Sequence, residues 1–124
     1  MKKLTKKDKS VLLPAVKELL IKCTKNRTML GSEIVKWCND NIELENKLTE
    51  PKLRMVINLL RQQEIPVLAS SLGYWISYDK EEIAETVVSL NNRIKSIMSA
   101  IGGLNQCIKN IELVDDWSKK GIDI

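Results

Sequence analysis

A chain of 124 residues that is 44% apolar and 29% charged is about one domain's worth of ordinary globular sequence, which excludes wholesale disorder and collagen-like repeats. No apolar run approaches the roughly 18 residues that a bilayer crossing takes, and no secretory hydrophobic core follows the charged start Met1-Lys2-Lys3-Leu4-Thr5-Lys6-Lys7. The expected place is the cytoplasm, away from any membrane. The net charge of +4 is uneven: residues 1–30 carry +7, 31–50 carry −3, 51–80 carry +2 and 81–124 carry −2. A basic arm on a nearly neutral body suits an anionic partner such as nucleic acid, and suits equally a solvated lysine tail.

Taken in chain order, residues 1–10 read as that arm, with Lys2, Lys3, Lys6 and Lys7 as candidate phosphate contacts. Val11, Leu12, Val16, Leu19, Leu20 and Cys23 then follow the period of an amphipathic helix. Pro14 is tolerated in a first turn, so this helix is expected to start near Val11 to Leu13, capped by Asp8 or Ser10. A second helix follows Gly31, with Ser32 as N-cap and Ile34, Val35, Trp37 and Cys38 inward, and Asn39-Asp40-Asn41 ends it. Thr49-Glu50-Pro51 opens a third helix running to about Gln63, with Leu53, Val56, Ile57 and Leu60 inward. Its outward face is read as Lys52, Arg54, Asn58, Arg61 and Gln62.

After Glu64 the period changes. Ile65 to Ser70 and Tyr74 to Tyr78 read as two extended runs around Leu72-Gly73, a hairpin whose turn uses the glycine. Alternation places Tyr74, Ile76 and Tyr78 on one face and Trp75 and Ser77 on the other, and either face is able to cover the core. Asp79 caps a long helix with Glu81 and Glu82 in its first turn. The expected divisions are a basic arm over 1–10, a winged helix-turn-helix over 11–79, a long helix over 80–113 and a tail over 114–124.

The long helix carries the sharpest pattern. Ile83, Val87, Leu90, Ile94, Ile97, Ile101, Leu104, Ile108 and Ile111 are spaced alternately four and three apart, a repeat of 3.5 residues that predicts a coiled-coil seam and an oligomer. With Val87 at position a, Ile94, Ile101 and Ile108 share a, while Ile83, Leu90, Ile97, Leu104 and Ile111 fall at d. β-Branched a residues with leucine d favour parallel dimers, and isoleucine at d shifts the preference to higher orders. Ala84, Thr86, Met98, Ala100 and Cys107 flank the seam. Gly102-Gly103 falls at outer positions, and the preserved phase across it predicts a continuous helix over a hinge.

Three helices, a hairpin and a long helix make the winged helix-turn-helix order, in a fold that is mainly α with a small β-hairpin. The stretch Leu53-Arg54-Met55-Val56-Ile57-Asn58-Leu59-Leu60-Arg61, followed by Ile65-Pro66-Val67 and Gly73-Tyr74-Trp75-Ile76, resembles small winged helix-turn-helix proteins of bacteriophages and mobile elements, over about Thr49 to Arg93. The resemblance implies a bacterial host cell, a third helix that reads double-stranded DNA, a hairpin that acts as the wing, and a role in transcription regulation or replication. Glu64 stands where such proteins often have glycine, and the acidic loop from Asn39 to Leu48 is unusually long. Lys52, Arg54, Asn58 and Arg61 are the candidate DNA contacts of the third helix. The alternative is an assembly module that keeps the fold and uses the long helix to bind a partner protein.

An enzyme is not expected. The chain has no histidine and only Cys23, Cys38 and Cys107, too few and too scattered for a zinc site or an activated thiol. Reduced, mostly packed thiols are expected instead. Glu81-Glu82 and Asp115-Asp116 suit a helix start and an exposed tail better than acid-base or magnesium chemistry. No phosphate loop or nucleotide fingerprint appears, so neither metal nor cofactor is expected.

Overall fold

The computed structural model describes residues 3–119, with side chains to Val114; Lys2 and residues 120–124 lie outside the described residues. The elements are α1 (Lys6–Ile21), α2 (Gly31–Asn41), α3 (Glu50–Gln62), β1 (Val67–Ser70), β2 (Gly73–Ile76) and α4 (Lys80–Lys119). The fold is mainly α with a two-stranded antiparallel hairpin and a long C-terminal helix. It divides into two compact units, residues 1–86 and 87–124.

Helix α1 starts earlier than Pro14 suggests. Thr5 is its N-cap, its hydroxyl accepting from the Asp8 amide at 3.1 Å, and Pro14 lies in the helix interior on an exposed position. The expected start near Val11 and the cap by Asp8 or Ser10 are therefore corrected, and so is the arm. Lys6 and Lys7 are helical and Leu4 is buried, which confines any arm to the first three residues.

Asp8 has a different task. It is buried in a row with Leu12, Val16 and Leu20, four residues apart on one helix face, and its two carboxylate oxygens accept from the amides of Glu45 and Asn46 at 2.8 and 3.1 Å. Asn39 holds the same loop through both groups of its amide, donating to the Leu48 carbonyl at 3.0 Å and accepting from the Leu48 amide at 2.8 Å. These four bonds give the long acidic loop a fixed course.

Helix α2 is capped at Leu30, whose amide donates to the Glu33 carboxylate at 2.9 Å, so Ser32 lies in the first turn rather than at the cap. Ile34 and Cys38 are buried, Val35 packs at the core's margin, and Trp37 is exposed, contrary to its expected core place. The stripe is too narrow to bring position 37 inward with 34 and 38.

In α3 the Thr49 hydroxyl accepts from the Lys52 amide, Pro51 sits in the first turn, and Leu53, Val56, Ile57 and Leu60 enter the core, as their spacing predicts. The helix ends in a Schellman motif: Ile65 N–H donates to the Leu60 carbonyl and Glu64 N–H to the Arg61 carbonyl, each at 3.0 Å. Glu64 takes the left-handed position of that motif with φ 64°, where glycine is the residue of least cost.

The strands are shorter than the extended runs in the sequence, pairing Val67 with Ile76 through Ser70 with Gly73. Both hairpin faces meet protein, since Trp75 and Ile76 are each buried, while Tyr78 lies beyond the strand and is exposed. A feature absent from the sequence reading is a third, single-residue strand. Met29 exchanges both backbone hydrogen bonds with Tyr74, at 3.0 and 2.8 Å. This pairing explains Gly73: at φ 130° a Cβ there would stand 2.6 Å from the Met29 carbonyl oxygen.

Asp79 caps α4 by accepting from the Glu81 and Glu82 amides at 2.8 and 3.3 Å. Within the first unit, Trp75 Nε1–H donates to the Glu82 carboxylate at 2.8 Å and Thr86 is buried. The helix is continuous through Gly102-Gly103 and runs on to Lys119, so the expected tail is helical from 114 to 119. From Val87 onward it extends about 50 Å at 1.5 Å per residue.

Candidate nucleic-acid interface

The candidate interface centres on the face of α3 that the core does not cover. Arg54, Met55, Asn58 and Gln62 are exposed there. Arg54, Asn58 and Gln62 follow at four-residue intervals, so they form one row along the helix. Their heads are a guanidinium and two amides, the groups that pair with guanine and adenine edges in a major groove.

Two of the expected contacts lie elsewhere. Lys52 is buried, in the row of Val56 and Leu60, and its ammonium donates to the Lys47 carbonyl at 3.2 Å. The loop that ends at Leu48 supplies this acceptor, so Lys52 closes the loop onto α3 instead of facing a partner. Arg61 is half-buried, and its Nε–H donates to the Val67 carbonyl at 2.8 Å, tying the end of α3 to β1. The sequence signal for Lys52 is its place four residues before Val56. Arg61 gives no such signal, because its acceptor is a backbone carbonyl across the turn.

Of the N-terminal lysines, Lys3, Lys6 and Lys7 are exposed, the last two on the first turn of α1. Lys25 pairs with Glu85 at 3.3 Å and Lys36 with Asp40 at 2.6 Å, both in solvent. Glu50 at the start of α3 and Glu43 and Glu45 in the loop are exposed acids of the same unit. The hairpin turn is Ser71-Leu72, pinned where the Thr28 hydroxyl donates to the Leu72 carbonyl, and Leu72 stands out from it largely exposed.

An open groove of about 210 Å³ is lined by Ala15, Glu18, Leu19, Lys22, Trp37 and Ile42. It brings together one carboxylate, one ammonium and an apolar wall, which do not form a nucleophile–base pair. Among the described residues no group of three or more Cys, Asp or Glu is placed to hold a metal ion. The thiols fall into three environments. Cys38 is buried, which pushes its pKa up to about 11, and burial followed by the Glu33 charge raises that of the half-buried Cys23. Cys107 is exposed, correcting the expectation of packing for it.

The seam positions Val87, Ile94, Ile97, Ile101, Leu104, Ile108 and Ile111 are all exposed, and Leu90 is half-buried. No described helix is long and apolar enough to cross a membrane. No family model matches the chain, and neither a curated protein nor a solved structure matches it significantly.

Proposed function

We propose that the protein binds double-stranded DNA as an oligomer, with α3 as the reading helix and the hairpin as wing, in transcription control or replication of the phage or mobile-element type. The observation that carries this reading is the row Arg54, Asn58 and Gln62, left in solvent on a helix whose opposite face is locked into the core. The element order supports it, and the Met29 pairing ties the turn end of the hairpin, at Tyr74, to the segment before α2. Lys3, Lys6 and Lys7 supply further phosphate contacts, and the α4 seam joins the copies. Anisotropy titration of a labelled random duplex at about 50 and 200 mM salt tests it, because binding through phosphates weakens steeply with salt, with a log–log slope of about −0.9 per contact. Binding without salt dependence, or none at 50 mM, rejects it.

A second reading is favoured by the engagement of Lys52 and Arg61, which leaves Arg54 as the exposed cation of α3. In it the protein is an assembly module whose long helix binds a partner protein. Absence of duplex binding together with an intact oligomer selects this reading.

A further inference from the structure

The seam of α4 repeats, is continuous and is exposed, and the chemistry of its flanks distinguishes how two copies meet. We infer that two copies of this chain pair along α4 in antiparallel orientation, with the two-fold axis at Ser99. The inference rests on the oligomeric part of the proposed function and adds its orientation and register.

The argument starts from the layers. In an antiparallel pair each a residue faces a d residue of the other copy, and one register aligns the whole seam: Val87 with Ile111, Leu90 with Ile108, Ile94 with Leu104, and Ile97 with Ile101. Symmetry repeats these four, so eight consecutive layers fill with one apolar residue from each copy. In a parallel pair in register every layer sets a residue against itself, so Ile97 and Ile111 self-pair at d, where isoleucine fits two strands poorly.

The flanking positions give an independent reason. With the axis at Ser99, the positions nearest it place Ala100 against Ala100, Met98 against Met98, Asn91 against Asn105 twice and Arg93 against Cys107 twice. Small residues allow close approach, the thioethers fill a gap, and each asparagine amide has both a donor and an acceptor for the other. Parallel pairing instead sets Arg93 against Met98 and Ala100 against Asn105, so the alanines, the thioethers and the amides no longer meet their own kind. Gly102 and Gly103 do not interrupt the surface, since they lie on the outer side within an unbroken helix.

Nitroxide distances measure the orientation directly in the full-length chain. Cys107 is exposed and is the labelling site once Cys23 is changed to serine, while Cys38 is protected by burial and its raised pKa. In the antiparallel dimer the Cys107 of one copy faces Arg93 of the other and stands at the axial level of its Asn91, sixteen residues or about 24 Å along the axis from its own equivalent. Moving the label to the same flank at the axis, with Ala100→Cys and Cys107→Ala, brings the two labels to within about 3 Å of the same level. The expected result is a dimer by sedimentation, a long distance for label at 107 and a clearly shorter one for label at 100. Equal distances at the two sites, or a trimer or tetramer by mass, overturn the antiparallel pairing while leaving self-association standing. A wild-type chain that sediments as a monomer overturns the oligomer itself and this inference with it.

Discussion

Glu64 is a carboxylate residue in a left-handed backbone position with no glycine's freedom to occupy it, and the cost is open to measurement. Glu64→Gly should raise unfolding free energy by about 1 kcal/mol, less the entropy that glycine adds to the unfolded chain, read from the denaturant midpoint at constant slope. Asp8 is the reverse case, a charge whose removal strips two loop amides of their acceptor. Asp8→Ala should destabilise by about 2 to 4 kcal/mol, and exchange at the Glu45 and Asn46 amides should accelerate more than at core helix amides. The sequence offers Asp8 as a cap, and its spacing with Leu12, Val16 and Leu20 puts it on the buried row only because the helix starts at Lys6; its partners carry no signal at all. They lie about 37 residues away in a loop whose course no local pattern encodes. Lys52 followed the same logic, because its burial depends on a carbonyl that the folded loop delivers.

At the scale of elements, α3 was readable almost to the residue, since a capping threonine, a first-turn proline and a 3.6-residue stripe agree. Helix α1 starts before its expected place because proline ordinarily suits a first turn, whereas packing of Leu12, Val16 and Leu20 holds the helix through Pro14. The Met29 strand escaped because one residue has no period. The candidate interface divides in the same way: Arg54 and Asn58 remain outward, and Arg61 serves the joint between α3 and β1. Arg54→Ala should therefore weaken specific duplex binding by about 1 to 3 kcal/mol with stability unchanged. Arg61→Ala should cost about 1 to 2 kcal/mol of stability through the lost bond to Val67. A thermal melt beside the anisotropy titration separates the two effects. Lys3, Lys6 and Lys7 should be tested as alanines rather than by deleting residues 2–7, which would also remove the Thr5 cap and the buried Leu4.

For the whole molecule, the seven-residue repeat was the clearest signal in the sequence, and the helix that carries it extends further than its pattern. Ile94, Ile97, Ile101 and Leu104 keep 52–66% of their surface in solvent. Each fully buried aliphatic side chain is worth about 1.5 to 3 kcal/mol relative to exposure. Ile97→Asp with Ile101→Asp should dissociate the oligomer while the unit of residues 1–86, whose core is Leu4 to Ile76, keeps its cooperative melt. Loss of that melt would show that the first unit depends on assembly.

DNA binding by the oligomer is the central claim, and sedimentation velocity of a fluorescent duplex with the full-length chain, followed at the fluorophore, tests it most directly. The account predicts a faster duplex boundary at about 50 mM salt, a shift of at least two chains per complex, and return to the free boundary as salt rises. A duplex that sediments at its free rate at every protein concentration and at low salt contradicts it.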